Sequence, residues 1–210
     1  MEHEIRFCYA LDSLSKLKEM LEAQPLKQRE RVYELTCQYE HCDPRFSFYS
    51  AEVDGRLRVR VSKGSESTKC TLGWKQRTAE TFRNAYNSEI EEEVRFNSED
   101  VDHLFYILEK PLHFQMVDSY ERYRTAYEDE DVSISIDEFP FGIVLEIESK
   151  KEQGVDAILR RWTDRLKLNQ KDAYPLSWDD KYRELCLAQG MEPFAHVRFG
   201  QVMPLFQEKI

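Results

Sequence analysis

No stretch of this chain approaches the ~20 consecutive apolar residues that a membrane helix requires. Its first residues, MEHEIRFCYALD, lack the basic segment followed by an apolar one that marks a secretory signal. Glycine and proline are scarce, seven of each in 210 residues, which excludes collagen-like and linker-dominated architectures. The five cysteines (Cys8, Cys37, Cys42, Cys70, Cys186) are odd in number and widely spread, and Cys37 and Cys42 lack CxxC spacing. That pattern argues against a zinc site or a disulfide framework and for reduced thiols in a cytoplasmic protein. Five scattered histidines form no Ser-His-Asp or Cys-His arrangement. Positive charge is also in deficit: 30 basic residues face 40 acidic ones, for a formal charge of −10. Such a balance argues against a nucleic-acid partner, whose phosphate backbone requires a net basic surface.

Apolar material is sufficient for a core, at 41% of residues, so wholesale disorder is excluded and one domain with an appendage is expected. Helical periodicity appears at Leu14, Leu17 and Leu21 behind an Asp12-Ser13 N-cap. It recurs at Val101, Leu104, Phe105 and Leu108, and again at Val155, Ile158, Leu159, Trp162 and Leu166. Ser177-Trp178-Asp179-Asp180 reads as a capping box opening a further short helix with Tyr182, Leu185 and Cys186 inward. Between these lie alternating segments that predict strands: 2–8, 31–39, 45–52, 56–63, 69–77, 88–96, 112–118, 121–128, 131–138 and 142–149. Asp54-Gly55 is expected as a hairpin turn, with further turns at Glu128–Asp131 and Pro140–Gly142. Strands joined by short loops favour an antiparallel sheet or barrel, a β-dominated α+β fold, over βαβ units. No linker divides the chain: residues 1–190 form the main domain, and 191–210 are expected as a tail docked on it.

The informative feature is what alternates with the apolar residues, because side chains on a strand repeat every two positions. Glu2, Glu4 and Arg6 share one face; Arg56, Arg58 and Arg60 share another. Lys69, Thr71 and Lys75 oppose Cys70, Leu72 and Trp74, while Glu89, Glu91 and Glu93 oppose Ile90 and Val94. Arg122 and Arg124 share a face, Ser133, Ser135 and Asp137 another, and Glu146 and Glu148 another. A single strand of this kind is usually half-buried with its polar face in water. Here, however, each strand carries one sign in pairs, and like charges side by side repel unless a counter-charge or metal lies between them. Around one enclosed space, paired carboxylates suit Mg²⁺ or Mn²⁺, and arginine and lysine rows suit phosphate oxygens. A triphosphate or short polyphosphate chelating a divalent metal satisfies both, which points to a barrel lumen. Trp74, Trp162 and Trp178 fall at apolar positions and are assigned to the core. Glu128–Asp131 is assigned to a solvated hairpin tip, and the isolated His3 and His113 are not assigned as ligands.

In this order the residues resemble the CYTH superfamily, the triphosphate tunnel metalloenzymes. The family's ExExK signature is similar to Glu2-His3-Glu4-Ile5-Arg6. Its Y-x-x-T-x-Y strand matches Tyr33–Tyr39, and its LRxR element matches Leu57–Arg60. Lys75, Glu89-Ile90-Glu91 and Arg122-Tyr123-Arg124 follow in sequence, then Asp137, Gly142 and Glu146-Ile147-Glu148. The resemblance spans about residues 1 to 190 and implies a closed antiparallel barrel of about eight strands with helices packed outside. It further implies metal held by Glu2, Glu4, Glu146 and Glu148, with Glu91 joining, and phosphates cradled by Arg6, Arg58, Arg60, Lys75, Arg122 and Arg124. Asp137 orients a basic partner or a metal-bound water, and Arg6, Asp137 and Glu91 form the catalytic set. Two positions depart from the pattern. Arg6 replaces the family lysine, and a guanidinium cannot serve as acid or base. Asn87 and Ser88 stand where a basic residue is usual, with Arg83 several positions upstream.

The expected function is metal-dependent hydrolysis of tripolyphosphate, thiamine triphosphate or a nucleoside triphosphate. A class IV-type adenylyl cyclase and a non-catalytic polyphosphate or nucleotide binder are the alternatives. No base-reading feature appears in the sequence. The expected partner is a small-molecule triphosphate, with no membrane and no nucleic acid, bound by a monomer or homodimer.

Overall fold

A computed structural model of the protein describes residues 1–50, 53–78 and 86–210. Eight strands close into an antiparallel barrel. They are β1 (Glu2–Tyr9), β3 (Val32–His41), β4 (Gly55–Lys63), β5 (Thr68–Arg77), β6 (Asn87–Phe96), β7 (Phe114–Glu128), β8 (Val132–Phe139) and β9 (Gly142–Ser149). Around the wall the order is β1-β9-β8-β7-β3-β4-β5-β6, and pairing of β6 with β1 completes the circle. Two short strands, β2 (Lys27–Gln28) and β10 (His196–Val197), both pair with β7. Among the described residues four α-helices, α1 (Leu14–Glu22), α2 (Val101–Glu109), α3 (Val155–Arg165) and α4 (Trp178–Ala188), lie outside. Among the described residues no helix is long and apolar enough to cross a membrane.

The alternation dictates an inverted arrangement: the polar faces turn inward and the apolar faces turn out to meet the helices. Ile5 and Phe7 of β1, Ile134 and Ile136 of β8, and Leu145 and Ile147 of β9 pack against Leu17 and Leu21 of α1 and Leu159 and Trp162 of α3. Burying each such side chain contributes about 1.5–3 kcal/mol, so this outer core holds the wall. On the other side Cys37 and Val59 pack against Leu108 of α2. A third cluster closes one barrel end, where Tyr120, Phe139, Phe141 and Val144 meet Tyr182 and Cys186 of α4. Residues of the C-terminal segment complete it: Val197, Met203 and Phe206 are buried there, and Phe206 N–H donates to the Phe141 carbonyl at 3.0 Å.

Four local expectations are corrected. Residues 45–52 do not form a strand: Pro44–Phe46 is a 3₁₀ turn, Tyr49 makes a single bridge to Asp54, and 51–52 lie outside the described residues. The reversal is closed by the Ser50 N–H donating to the Val53 carbonyl, so Asp54-Gly55 sits on the returning limb and Gly55 opens β4. Only glycine fits there, since an added Cβ would lie 2.2 Å from the Trp74 ring. The expected strands 112–118 and 121–128 are one strand of 15 residues, β7, whose pairing with β3 shifts register between Gln38 and Tyr39. Ser13 stands at the start of α1 but caps nothing with its side chain; a 3₁₀ turn at 11–13 leads into the helix instead. At α4 the capping box forms, with Ser177 and Asp180 bonded reciprocally.

Candidate functional site

The inward faces enclose a central cavity of about 200 Å³. Of the residues singled out in the sequence, Glu2, Arg6, Arg58, Arg60, Lys75, Glu91, Arg122, Arg124, Glu146 and Glu148 line it. Glu4 is buried against the lining beside Glu2, and Asp137 lies fully buried behind Arg122 and Arg124. Register explains the meeting: Glu2 stands opposite Glu89, Glu4 opposite Glu148 and Arg6 opposite Glu146 across β1. Arg56, Glu89, Glu93, Tyr120 and Trp178 also line the cavity, outside the set named from the sequence. Arg56, Glu89 and Glu93 share the alternating faces already noted, so the periodicity contained them. Tyr120 and Trp178 carried no local signal. Trp178 stacks on Phe139 with ring centroids 5.0 Å apart and also meets the lumen, whereas Trp162 is wholly in the outer core. Arg83, upstream of the missing basic position, lies outside the described residues; Asn87 at that position donates to Glu4 Oε1 at 3.2 Å.

Seven cationic side chains line the cavity against six carboxylates. Glu4, Glu34 and Asp137 stand in the layer behind, so the assembly as a whole carries two carboxylates in excess. The charges are sorted. Asp137 accepts from Arg122 Nη1 at 2.7 Å and from Arg124 Nε at 2.6 Å, and Glu34 accepts from Arg122 Nε at 2.7 Å. Glu146 accepts from Arg6 Nε at 2.9 Å and from Arg124 Nη2 at 2.5 Å. These guanidinium groups hold Glu34 and Glu146 well below the usual carboxylate range despite burial. Arg56 and Lys75 do the same for Glu89.

The excess sits elsewhere. Glu2, Glu4 and Glu89 each place a carboxylate oxygen within 4.8 Å of the others, and Glu148 faces Glu4 across the strand pair. Burial, opposed by Arg6 and reinforced by the charge of Glu2, pushes Glu4 up to about 8. Burial and Glu2 push Glu148 up to about 7. Lys75 hydrogen-bonds Glu2 and lies 3.4 Å from Glu91 and 3.7 Å from Glu89, yet Glu89 Oε2 is buried without a hydrogen bond among the described residues. Clustered hard oxygen donors with surplus negative charge fit a divalent cation. Glu146 lies apart from this cluster, engaged by Arg6 and Arg124.

The cationic side is likewise incomplete. Arg58 donates to Glu91 at 3.1 Å and Arg60 to the Thr36 hydroxyl at 3.3 Å. Arg56 Nε and Arg58 Nε are buried and donate to no acceptor among the described residues. Burial and the adjacent Arg60 lower the pKa of Arg58 although Glu91 stands beside it, so one carboxylate does not offset the desolvation and the neighbouring guanidinium.

A pH dependence of stability follows. Glu4 and Glu148 bind protons more tightly in the folded chain than in the unfolded one. Between their ordinary pKa and their raised values, folding therefore takes up protons and stability falls as pH rises. Glu34, Glu89 and Glu146 have the opposite sign, but their contribution is complete above about pH 5 and is lost only in acid. Tyr120, brought down to about 8 against burial by Arg122, Arg60 and Arg58, acts only above that pH. The melting temperature of metal-free protein is expected to fall from pH 5.5 to pH 7.5. The stabilisation by added Mg²⁺ is expected to widen over the same interval, and a flat profile in differential scanning fluorimetry would contradict the assignment of surplus charge.

Known structures share this architecture. No protein-family model and no curated protein matches the chain. The PH1819 protein from Pyrococcus horikoshii OT3 superposes with a TM-score of 0.65 at 23% identity, covering 88% of this chain and 99% of that one. A putative adenylate cyclase from Vibrio parahaemolyticus gives 0.63 at 13% identity, over 84% and 95% of the two chains. The putative adenylyl cyclase HpAC1 from Hippeastrum, described as having a dominant triphosphatase activity, gives 0.59 at 14% identity, over 94% and 100%. The chain has the fold of CYTH-type proteins. The closed barrel of the CYTH fold is thus the one implied by the sequence resemblance, with eight strands in the wall and two outside it.

Proposed function

We propose that this chain is a divalent-metal-dependent triphosphatase that binds its substrate in the barrel lumen. The observation that carries the reading is the separation of unsatisfied charge within one cavity. Clustered carboxylates stand on β1, β6 and β9, those of Glu4 and Glu148 with raised pKa values, facing arginines on β4 whose buried Nε atoms have no acceptor among the described residues. An anion alone would meet surplus carboxylates, and a cation alone would leave the arginines unsatisfied; a metal-chelated triphosphate answers both. The dominant triphosphatase activity stated for HpAC1, a protein of the same fold, supports hydrolysis over cyclisation.

In this reading Glu2, Glu4, Glu89 and Glu148 hold the metal, with Glu146 reassigned to fixing Arg6 and Arg124. When bound, the metal supplies Lewis-acid polarisation of phosphate oxygens and lowers the pKa of a coordinated water. Arg58, Arg60, Arg122 and Arg124 neutralise the phosphoryl oxygens, since phosphoryl transfer depends chiefly on positioning and electrostatic stabilisation. Arg6 contributes fixed charge and no proton chemistry. Asp137 acts through its two arginines as a positioning residue. Glu91, between Arg58 and Lys75, accepts the proton of the attacking water as the new P–O bond forms and the bridging P–O bond breaks. Incubation with tripolyphosphate, ATP and thiamine triphosphate plus Mg²⁺ or Mn²⁺ is expected to release inorganic phosphate or pyrophosphate, and chelation to stop it. Cyclic AMP as the main product from ATP, or no turnover of any triphosphate, would overturn the proposal.

A further inference from the structure

Cleavage of a phosphoanhydride by water takes a proton from the attacking oxygen and builds negative charge on the leaving one, which a positioned proton donor relieves. Glu91 serves the first need. The lumen arginines neutralise charge but cannot transfer a proton, and Lys75 is tied to Glu2.

Tyr120 lies on the same inward row of β7 as Arg122 and Arg124, by the strand's period of two, and lines the cavity with them. It stands opposite Thr36 of β3, and Thr36 stands opposite Arg60 of β4. A phenol, a hydroxyl and a guanidinium therefore form one layer across three adjacent strands. The ring is fixed from behind, its centroid 4.1 Å from that of Trp178 and 5.9 Å from that of Phe139. Thr36 Oγ1 accepts from Arg60 Nε at 3.3 Å, which leaves the Thr36 hydroxyl proton for the Tyr120 oxygen. The phenolic proton is thereby left for the space in front of it, which is the lumen.

The barrel sets this hydroxyl against Glu91. Around the eight-stranded wall β7 is four strands from β6 in either direction, so Tyr120 and Glu91 stand on opposite walls of one cavity of about 200 Å³. In-line displacement puts the attacking and leaving oxygens on opposite sides of the phosphorus, and a base on one wall with a proton donor on the other fits that line. Charge around the phenol favours giving its proton up: against burial, Arg122 of its own strand and Arg60 and Arg58 of β4 bring it down to about 8. Glu34 of β3 is engaged by Arg122 at 2.7 Å and lies 3.9 Å from Arg60. Phe139 of β8, Trp178 of α4 and Val197 of β10 share the cluster of Tyr120 and bring no charge to it.

We propose that Tyr120 is the general acid of this site: its hydroxyl touches the bridging oxygen of the bound triphosphate and gives it a proton as that P–O bond breaks. The electron pair of the bond stays on the leaving oxygen, Glu91 holds the proton taken from water, and the phenolate is stabilised by Arg58, Arg60 and Arg122. Exchange with solvent returns one proton to Tyr120 and removes one from Glu91, so each turnover consumes one water and nothing else. The inference rests on the triphosphatase reading above and supplies its second proton transfer.

Steady-state hydrolysis of tripolyphosphate by the full chain at saturating Mg²⁺ tests it. Tyr120→Phe keeps the ring in its cluster and is expected to lower kcat by about 10²–10³-fold, within the range of a lost general acid, with KM nearly unchanged. In the wild type kcat/KM is expected to fall above about pH 8, and that limb should be missing from the residual activity of Tyr120→Phe. Site-specific replacement of Tyr120 by 3-fluorotyrosine, a stronger acid of nearly the same shape, should move the limb to lower pH, which a role in packing alone would not do. The fluorinated protein also decides the matter if Tyr120→Phe does not fold. Wild-type kcat in Tyr120→Phe, or a limb unmoved by fluorination, would overturn the assignment and leave the hydrolase reading intact. No phosphate release from any triphosphate by the wild type would remove the hydrolase reading, and this assignment with it.

Discussion

Asp137→Ala is expected to lower the unfolding free energy by about 3–5 kcal/mol, the cost of leaving buried charge uncompensated. Asp137 has no exposed surface and accepts hydrogen bonds from both Arg122 and Arg124. Glu34 and Glu146 supply part of the compensation, but each is already engaged elsewhere. Neither guanidinium can escape by losing its proton. Asp137→Asn keeps the shape and one acceptor, so a smaller loss is expected. Urea denaturation of the two variants at pH 7 measures this directly, and a loss below about 1 kcal/mol for the alanine variant would mean the two arginines have another counter-ion. In folded Asp137→Asn, a rise in the KM for triphosphate would mark displaced arginines.

Glu4→Gln is expected to separate activity from stability. With its pKa near 8, Glu4 is mostly protonated in the metal-free chain at neutral pH, and glutamine imitates that form. The melting temperature of metal-free protein at pH 7 should therefore barely move. Turnover with Mg²⁺ should fall by about 10²–10³-fold, the range typical of losing one group that stabilises developing charge. The stabilisation by metal, about 2.7 kcal/mol at a concentration a hundredfold above its Kd, should largely vanish. A variant that hydrolyses triphosphate normally and is still stabilised by Mg²⁺ would remove Glu4 from the metal site.

What the sequence disclosed was whatever a period of two could carry. Arg56, Arg58 and Arg60 against Leu57, Val59 and Val61 declare an inward row without further help, as do Glu89, Glu91 and Glu93. The partition of roles inside the lumen was not legible, because it depends on register. Glu146 and Glu148 look equivalent along β9, yet Glu146 stands opposite Arg6 and Glu148 opposite Glu4, so one is neutralised and the other is not. The two expected strands 112–118 and 121–128 were not legible as one because continuity through Ser119-Tyr120 depends on pairing with β3, where the register shifts around Val117, the extra residue on β7.

The placement of the apolar core between wall and helices has a consequence for how such a barrel can diverge. Ile5, Leu145 and Trp162 hold the strands from without, so the cohesion of the scaffold is largely uncoupled from the chemistry it encloses. Substitutions that exchange opposed charges together, Arg6 with Glu146 for instance, should alter what is recognised without dissolving the architecture. Descendants sharing this shell could therefore host unrelated ligands, or none.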